Sequence, residues 1–306
     1  MFLVKELVDY KYQECVDYLN ENYEYCYLDS MHYLNEQQEA TAIITGLSYG
    51  LNGIDAQALN TPRAINLSMH SQDLYYDFLH AKRAILNGKG KFQKCFITMG
   101  YYSLFYDLSL SSSKYKCFKT YMPLFRDSHH ALSTDVDYPS HPGENALNKL
   151  FARSFFLQNP SFYGAAIQRE WIAAASNWQQ LSPQQKAESA FSLTSKHNKH
   201  ILHPKTLKDN ILIMNQYISF LEQNDIQPIV LILPFTKEYM AFIRKEYKEI
   251  LLHSLEPLPY RIDFLDMNDL DIFDEEDFVD ADHLSDCGAL KATHIINDIF
   301  CSNSLL

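Results

Sequence analysis

One stretch, Thr41-Ala-Ile-Ile-Thr-Gly-Leu-Ser-Tyr-Gly-Leu-Asn-Gly53, carries the strongest signal in the chain. Its first five residues are apolar or β-branched, the composition of a short buried strand. Three glycines follow within eight residues, and Ser48 lies between the first two. A strand that runs into a glycine-rich turn with one serine presents a hydroxyl at the carboxyl edge of a parallel sheet. The same pattern also fits an ordinary turn, so a functional serine requires partners elsewhere in the chain.

Strand and helix signals alternate on both sides of a central interruption. The predicted strands are 41–45, 63–68, 94–100, 228–235 and 260–265, and the predicted helices are 55–59, 71–86, 205–223, 237–253 and 287–299. This alternation is typical of βαβ units and a parallel sheet. We therefore expect an α/β fold, with a doubly wound, mainly parallel sheet of about five strands flanked by helices.

Two parts of the chain fall outside the alternation. Residues 1–40 have apolar positions at mixed helical spacing, which predicts an N-terminal helical segment. Residues 109–204 contain no clear strand pattern, and an excursion of about 100 residues is long for a connection. We expect an inserted helical and loop cap at 109–204, over a core formed by 41–108 and 205–306. His129, His130 and His141 in this insertion are candidates for substrate contact.

Composition and charge limit the classes of function. The net charge of −12 and the lack of a basic run argue against nucleic-acid binding. No apolar run approaches the ~20 residues of a membrane span, and the N-terminus lacks the apolar region of a signal peptide. The six cysteines are scattered without a Cys-x-x-Cys pair, as in reduced proteins. These features predict a cytoplasmic protein and identify no protein partner.

The candidate partners of Ser48 lie near the end of the chain. A serine hydroxyl needs an adjacent base, and the base needs a third group that orients it. His283 precedes the last predicted helix, and Asp280 is placed so that its carboxylate can return to the imidazole Nδ1. Asp282 is expected to point the other way. The alternative is a solvated acidic loop, because ten acidic residues and no Lys or Arg lie between Asp263 and Asp282.

Metal sites are not predicted. His197, His200 and His203 have a three-residue spacing that could place them on one helical face, but their polar surroundings favour a solvated loop. The acidic stretch 263–282 lacks the glycine and the spacing of a calcium loop. We also interpret the tyrosine-rich segment 101–121 as packing of the cap, although the same rings could stack on a sugar.

Three blocks together resemble the SGNH/GDSL hydrolase superfamily. They are the early Gly-x-Ser turn, the third strand ending in glycine, and the late Asp-x-x-His before a terminal helix. The resemblance is strongest to the branch of polysaccharide O-acyltransferases and D-alanyl-transfer proteins of cell-wall polymers, and it covers about 41–108 and 205–300. It implies that Ser48 is the nucleophile, His283 the general base and Asp280 its orienting group.

The resemblance also implies an oxyanion hole, and here the chain departs from the family. Backbone N–H groups would come from the nucleophile and from around Ser68, where the family usually has glycine. The third block of the family reads Gly-x-Asn-Asp, but this chain has Gly100-Tyr101-Tyr102-Ser103. Loss of the Asn donor would cost roughly two to three powers of ten in rate. Tyr102 and Ser103 are the candidate substitutes, and Gly100 and Tyr101 complete the predicted substrate-binding set.

These residues predict serine-dependent ester chemistry through an acyl-enzyme. The favoured reaction is O-acyl transfer, such as acetyl transfer, to or from a carbohydrate of a surface polysaccharide or cell-wall intermediate. No bound cofactor is expected, with acetyl-CoA or another acyl donor acting as co-substrate. One alternative is a carbohydrate or small-ester esterase on the same triad. The other is a catalytically weak or inactive member of the fold that binds a glycan or a partner.

Overall fold

The computed structural model describes residues 40–88, 90–132, 169, 172–256 and 260–301. The N-terminal segment predicted for 1–40 therefore lies outside the described residues, apart from Ala40. The same holds for 133–168 within the predicted cap, a range that includes His141, so the proposed division into core and cap stays a prediction.

A single five-stranded sheet forms the centre of the described chain. Its strands are β1 (Ala42–Gly46), β2 (Ala64–Asn66), β3 (Lys94–Met99), β4 (Gln227–Ile232) and β5 (Asp263–Asp266). They pair in the order β2-β1-β3-β4-β5, and every pairing is parallel. The prediction of an α/β fold with a parallel sheet of about five strands flanked by helices is confirmed. The order reverses between β1 and β3, and ligands of doubly wound folds bind at the carboxyl ends of strands at such a point.

Helices flank the sheet. Their bounds are α1 Ser48–Gly53, α2 Leu74–Asn87, α3 Met122–Phe125, α4 Pro183–His197, α5 Pro204–Gln223, α6 Lys237–Phe242, α7 Glu246–Leu255 and α8 Asp286–Ile296. Shorter 3-10 or π segments lie at Ser103–Phe105, Leu108–Leu110, Cys117–Tyr121, Trp178–Gln180, Asn198–Leu202, Met267–Asp269, Glu275–Asp277 and Asn297–Cys301. The central strands β1, β3 and β4 are almost entirely buried, which matches their continuous apolar runs.

The segment after β1 differs from the prediction. We expected a turn around Ser48 and a helix at 55–59, but α1 begins at Ser48 itself. Residues 55–59 instead form a turn in which Asp55 Oδ1 accepts hydrogen bonds from the N–H groups of Gln57 and Ala58. An Asp side chain that accepts from backbone N–H groups two or three residues ahead caps a turn as readily as a helix. Asp55 therefore indicates a cap but does not distinguish a helix from a turn.

The predicted helix 237–253 is also wrong in detail. The chain forms two helices, because Ile243 adopts an extended conformation and ends α6. Its side chain is buried in the core. Burial of Ile243 in an extended conformation therefore outweighs the helical periodicity of the segment.

Candidate active site

Ser48 lies directly beyond the carboxyl end of β1, at the first turn of α1. The preceding Gly46 has a φ of +142°, and a Cβ at this position would overlap the side chain and carbonyl oxygen of Thr98 on β3. Only glycine combines this backbone conformation with so close an approach. The glycine therefore allows the chain to leave β1 and place the serine at the switch point of the sheet.

The three predicted catalytic residues meet in the folded chain. Ser48 Oγ lies 2.8 Å from His283 Nε2, and His283 Nδ1 lies 2.9 and 3.1 Å from the two carboxylate oxygens of Asp280. Asp280 Oδ1 also accepts hydrogen bonds from the N–H groups of Asp282, at 2.9 Å, and of His283, at 2.7 Å. These backbone contacts fix the carboxylate beside the imidazole, as the Asp-x-x-His spacing predicts.

A second carboxylate faces the same imidazole nitrogen. Asp282 Oδ1 lies 3.2 Å from His283 Nδ1, and Asp282 Oδ2 accepts a hydrogen bond of 2.9 Å from the hydroxyl of Tyr49. The prediction that Asp282 points away is therefore wrong. The solvated-loop alternative is also wrong for Asp266, Asp277 and Asp282, which are buried. It is right for the exposed acidic residues of the stretch, which are Asp269, Asp271, Asp274, Glu275 and Glu276.

The charges in this cluster shift three pKa values. Burial disfavours the imidazolium, but the carboxylates of Asp280 and Asp282 outweigh it and raise the pKa of His283 well above its ordinary value. Burial also opposes ionisation of Asp280, yet His283 and the backbone donors hold the pKa of this carboxyl below its usual value. For Asp282, burial and the neighbouring Asp280 prevail, and its pKa is raised. Asp280 is thus the more acidic of the two carboxyl groups beside the imidazole.

Tyr49 lies between His283 and the aromatic side chain of Phe235. Its ring packs edge-on against Phe235, with centroids 5.1 Å apart, and lies 5.7 Å from the ring of His283. A Cβ on Gly100 would lie 2.6 Å from the Tyr49 ring, so glycine at the end of β3 leaves room for it. The hydroxyl of Tyr49 also lies 3.3 Å from that of Tyr102.

The remaining residues of the third block are engaged elsewhere. Ser103 Oγ accepts a hydrogen bond of 2.9 Å from the N–H of Gly100, which closes the turn after β3. The hydroxyl of Tyr101 donates to Asp266 Oδ2 at 2.7 Å. Of the four residues of this block, Tyr102 contacts Tyr49 through its hydroxyl, and the ring of Tyr101 lies 5.8 Å from that of Phe235.

The predicted second oxyanion donor has a local partner. The N–H of Ser68 donates to Asn66 Oδ1 at 3.0 Å. Its side chain faces α1, where a Cβ on Gly50 would lie 2.5 Å from Ser68 Oγ. Ser68 thus supports the helix that carries Ser48, and its N–H is bonded within its own loop.

Two histidines of the predicted loop lie against Tyr102. His197 ends α4, its Nδ1 bonds the hydroxyl of Tyr239 at 2.8 Å, and its ring stacks on Tyr102 at 4.2 Å. His200 stacks on the same tyrosine at 5.3 Å. Burial lowers the pKa of His197 to about 3 and that of His200 to about 4. The solvated-loop prediction is wrong for His197 and His200, whose neutral imidazoles pack on Tyr102, and right for His203, which is exposed.

His70 also lies close to the cluster. Its ring is 6.3 Å from that of His283, and burial, with His283 and Lys116, lowers its pKa. Lys116 donates to the carbonyl of His70 at 3.3 Å and to Ser71 Oγ at 3.2 Å. Burial lowers the pKa of Lys116 to about 7. The sequence analysis did not identify His70, Lys116 or Tyr49 as neighbours of the site. Of these three residues, only Tyr49 could have been found from the sequence, because it directly follows Ser48.

The fold and the geometry define an α/β protein with a Ser-His-Asp cluster at the carboxyl edge of its sheet. No family model matches the chain, and no curated protein is similar to it. The resemblance to SGNH/GDSL hydrolases therefore stays a prediction from three short blocks. Within the described ranges, no helix has both the length and the apolar character that crossing a membrane requires.

Proposed function

We propose that this protein performs ester chemistry through an acyl-enzyme on Ser48. The contact of 2.8 Å between Ser48 Oγ and His283 Nε2, with Asp280 on the opposite imidazole nitrogen, carries the proposal. A serine, a base within hydrogen-bond reach and a group that orients the base are the parts that nucleophilic acyl transfer needs.

In the first half-reaction, Ser48 Oγ attacks the acyl carbonyl carbon and its proton passes to His283 Nε2. Asp280 stabilises the imidazolium that forms. Collapse of the tetrahedral intermediate breaks the bond to the leaving atom, the oxygen of an ester or the sulfur of a thioester donor, and this atom takes the proton from His283. In the second half-reaction, water or a sugar hydroxyl gives its proton to His283 and attacks the ester carbonyl on Ser48. The bond between the acyl carbon and Ser48 Oγ then breaks, Ser48 Oγ takes the proton back from His283, and the acyl group leaves with the acceptor.

Backbone donors are the best candidates for the oxyanion. The first N–H groups of a helix have no partner within the helix, and Ser48 begins α1. Its own N–H is therefore suited to the developing charge. The phenol of Tyr102 replaces the family Asn in sequence but bonds Tyr49, which favours a role in holding Tyr49 and Asp282 over direct donation.

For the substrate, we propose a carbohydrate O-ester, such as a surface-polysaccharide or cell-wall intermediate, with acetyl-CoA or another acyl donor as co-substrate in the cytoplasm. The resemblance supports this choice. The rival is an esterase on the same residues, with water as the acceptor. A second rival is a weakly active or inactive member that binds a glycan or a partner, which the third block without Asn favours.

Labelling with a fluorophosphonate probe tests the nucleophile. We expect covalent labelling of the wild-type protein, mapped by peptide mass spectrometry to Ser48, and none in Ser48→Ala. Ser254→Ala is a matched control, because its hydroxyl only donates to the carbonyl of Ile250 within α7. A folded wild-type protein that is never labelled would refute the acyl-enzyme and favour the binding function.

Acceptor dependence separates transfer from hydrolysis. Purified protein is incubated with p-nitrophenyl acetate, with and without sugar acceptors, and p-nitrophenol and acetylated sugar are measured. Transfer predicts an acetylated sugar and faster release when the acceptor is present. Release at an unchanged rate, with acetate as the only acyl product for every sugar, would identify the esterase.

A further inference from the structure

A second cluster of side chains that can act as metal ligands lies outside the group formed by Ser48, His283 and Asp280. Asp107, His129 and His130 each offer one ligand atom, and these atoms lie within 4.8 Å of one another. His130 Nδ1 is 2.9 Å from Asp107 Oδ2, and His129 Nδ1 is 3.6 Å from Asp107 Oδ1. The proposed ester chemistry uses none of these residues.

The unusual member of the cluster is His129. Its side chain is only 9% exposed, and its Nδ1 makes no hydrogen bond within the described part of the chain. The nearest carboxylate oxygens, on Asp107 and Asp73, lie 3.6 and 3.8 Å away. Those gaps exceed a hydrogen bond. Neighbouring ligands of a tetrahedral zinc ion, with bonds of about 2.0–2.1 Å, are separated by about 3.4 Å, which is close to the gap of 3.6 Å between His129 Nδ1 and Asp107 Oδ1.

The surroundings fix His129 and Asp107, while His130 has room to move. Because the stacked rings of His129 and His130 lie 24° apart, the half-exposed His130 must turn about its side-chain bonds before both imidazole lone pairs point to one ion. His129 has a φ of +53°, and its ring stacks on Tyr75 at 4.0 Å and on His130 at 4.0 Å. Tyr75 is fixed by a hydrogen bond of 2.6 Å to Asp127. Asp107 Oδ1 accepts hydrogen bonds from the N–H and the hydroxyl of Ser109. Outer-shell hydrogen bonds of this kind orient metal ligands.

Charge and access also fit a cation. The carboxylates of Asp73, Asp107 and Asp127 all act on His129, so the cluster carries excess negative charge when the imidazoles are neutral. Asp107 and His130 line a cavity of about 480 Å³, together with residues that include His203 and Asp209. A metal held by three protein ligands keeps a position for water or a ligand, and here that position would open into the cavity.

We propose that Asp107, His129 and His130 form a binding site for a divalent transition metal, with zinc as the best match. Imidazole and carboxylate ligands suit zinc and its neighbours. The metal would replace the proton that His130 and Asp107 share at 2.9 Å and would satisfy His129 Nδ1. The sequence predicted no metal site, because Asp107 lies 22 residues from His129.

The test is a titration of the purified, chelator-treated protein with Zn²⁺ by calorimetry and with Co²⁺ by visible absorption. We expect one tight equivalent of Zn²⁺, and Co²⁺ bands typical of tetrahedral coordination. His130→Ala and Asp107→Asn should each weaken binding roughly 10-fold or more. Both variants should fold, because His130 is half exposed and the amide oxygen introduced by Asp107→Asn can still accept from Ser109.

Two control variants separate this site from others. His253→Ala removes an exposed histidine on α7 that bonds only its own helix, and its affinity should equal that of the wild type. His283→Ala removes the imidazole of the other Asp-His cluster and should also leave zinc binding intact. The proposal is overturned if the wild type binds no Zn²⁺ more tightly than His130→Ala does, or if His283→Ala alone abolishes binding. Neither result bears on labelling of Ser48, so the two proposals fail independently.

Discussion

Two carboxylates face the same imidazole nitrogen of His283, and this arrangement leads to a quantitative prediction about the rate of acylation. In a triad with one orienting carboxylate, its replacement by Asn costs about 10⁴ in rate. Here Asp280 and Asp282 both reach Nδ1, at 2.9 and 3.2 Å. We therefore expect either carboxylate to orient the imidazole in part when the other is replaced, so that the single replacements cost less than the double one.

The contacts give the magnitudes. A hydrogen bond to a charged group contributes about 1.5–3 kcal/mol, and each 1.4 kcal/mol corresponds to about a factor of ten. Asp282→Asn removes the longer contact and should slow acylation about 10-fold. Asp280→Asn removes the bidentate contact and should slow it about 100-fold. The amide oxygen of Asn can still accept the backbone N–H bonds that hold the loop, and the double variant should approach a loss of about 10⁴.

The assay is the second-order rate of fluorophosphonate labelling, checked by turnover of p-nitrophenyl acetate. Asp225→Asn serves as a matched control, because this exposed residue lies in the turn after α5. Thermal unfolding confirms that each variant is folded. A loss of about 10⁴ in Asp280→Asn alone, with no effect of Asp282→Asn, would refute the shared orientation of the imidazole.

Two more predictions follow from the same region. Asp280 and Asp282 raise the pKa of His283, and the protonated imidazole cannot accept the proton of Ser48. The rate of labelling should therefore rise with pH through a pKa above the ordinary histidine value of about 6.5. A rise that is complete below that pH would contradict this effect of the two carboxylates. Gly46→Ala should lower the free energy of unfolding in urea by about 3 kcal/mol or more, because the new Cβ would overlap Thr98 at a positive φ. An unchanged midpoint would show that the strand and turn can shift to accept a side chain.

Local sequence patterns predicted the sheet and the central contacts of the site. The apolar runs of β1, β3 and β4 are buried on both faces, so their composition alone identifies them. The contact between Ser48 and His283 could be predicted because both follow strands and parallel strands end at one edge of a sheet. The contact between Asp280 and His283 could be predicted because one turn of chain brings together side chains three positions apart.

The error about Asp282 has a physical cause in the same loop. We treated adjacent residues as pointing in opposite directions, which holds for an extended chain. Asp280 Oδ1 instead accepts the N–H groups of both following positions, and this turn brings the carboxylate of Asp282 to the imidazole nitrogen. The hydroxyl of Tyr49 then holds the second oxygen of Asp282, a contact between residues 233 positions apart that no local pattern contains.

Contacts with distant parts of the chain also determine the role of Tyr102 in the segment Gly100-Tyr101-Tyr102-Ser103. Tyr102 stands at the position where the SGNH/GDSL hydrolases, which the chain resembles in three short blocks, have an Asn that donates to the oxyanion. Its surroundings are supplied by His197 and His200 from a distant helix end, which stack on the ring, and by Tyr49, which bonds its hydroxyl. With Tyr106 on a further side, Tyr102 has four aromatic neighbours and is poorly placed to turn toward a substrate. Under the proposed function, we therefore expect backbone donors to bind the oxyanion, and we expect replacement of Tyr102 by Phe to alter the orientation of Tyr49 more than the binding of the oxyanion.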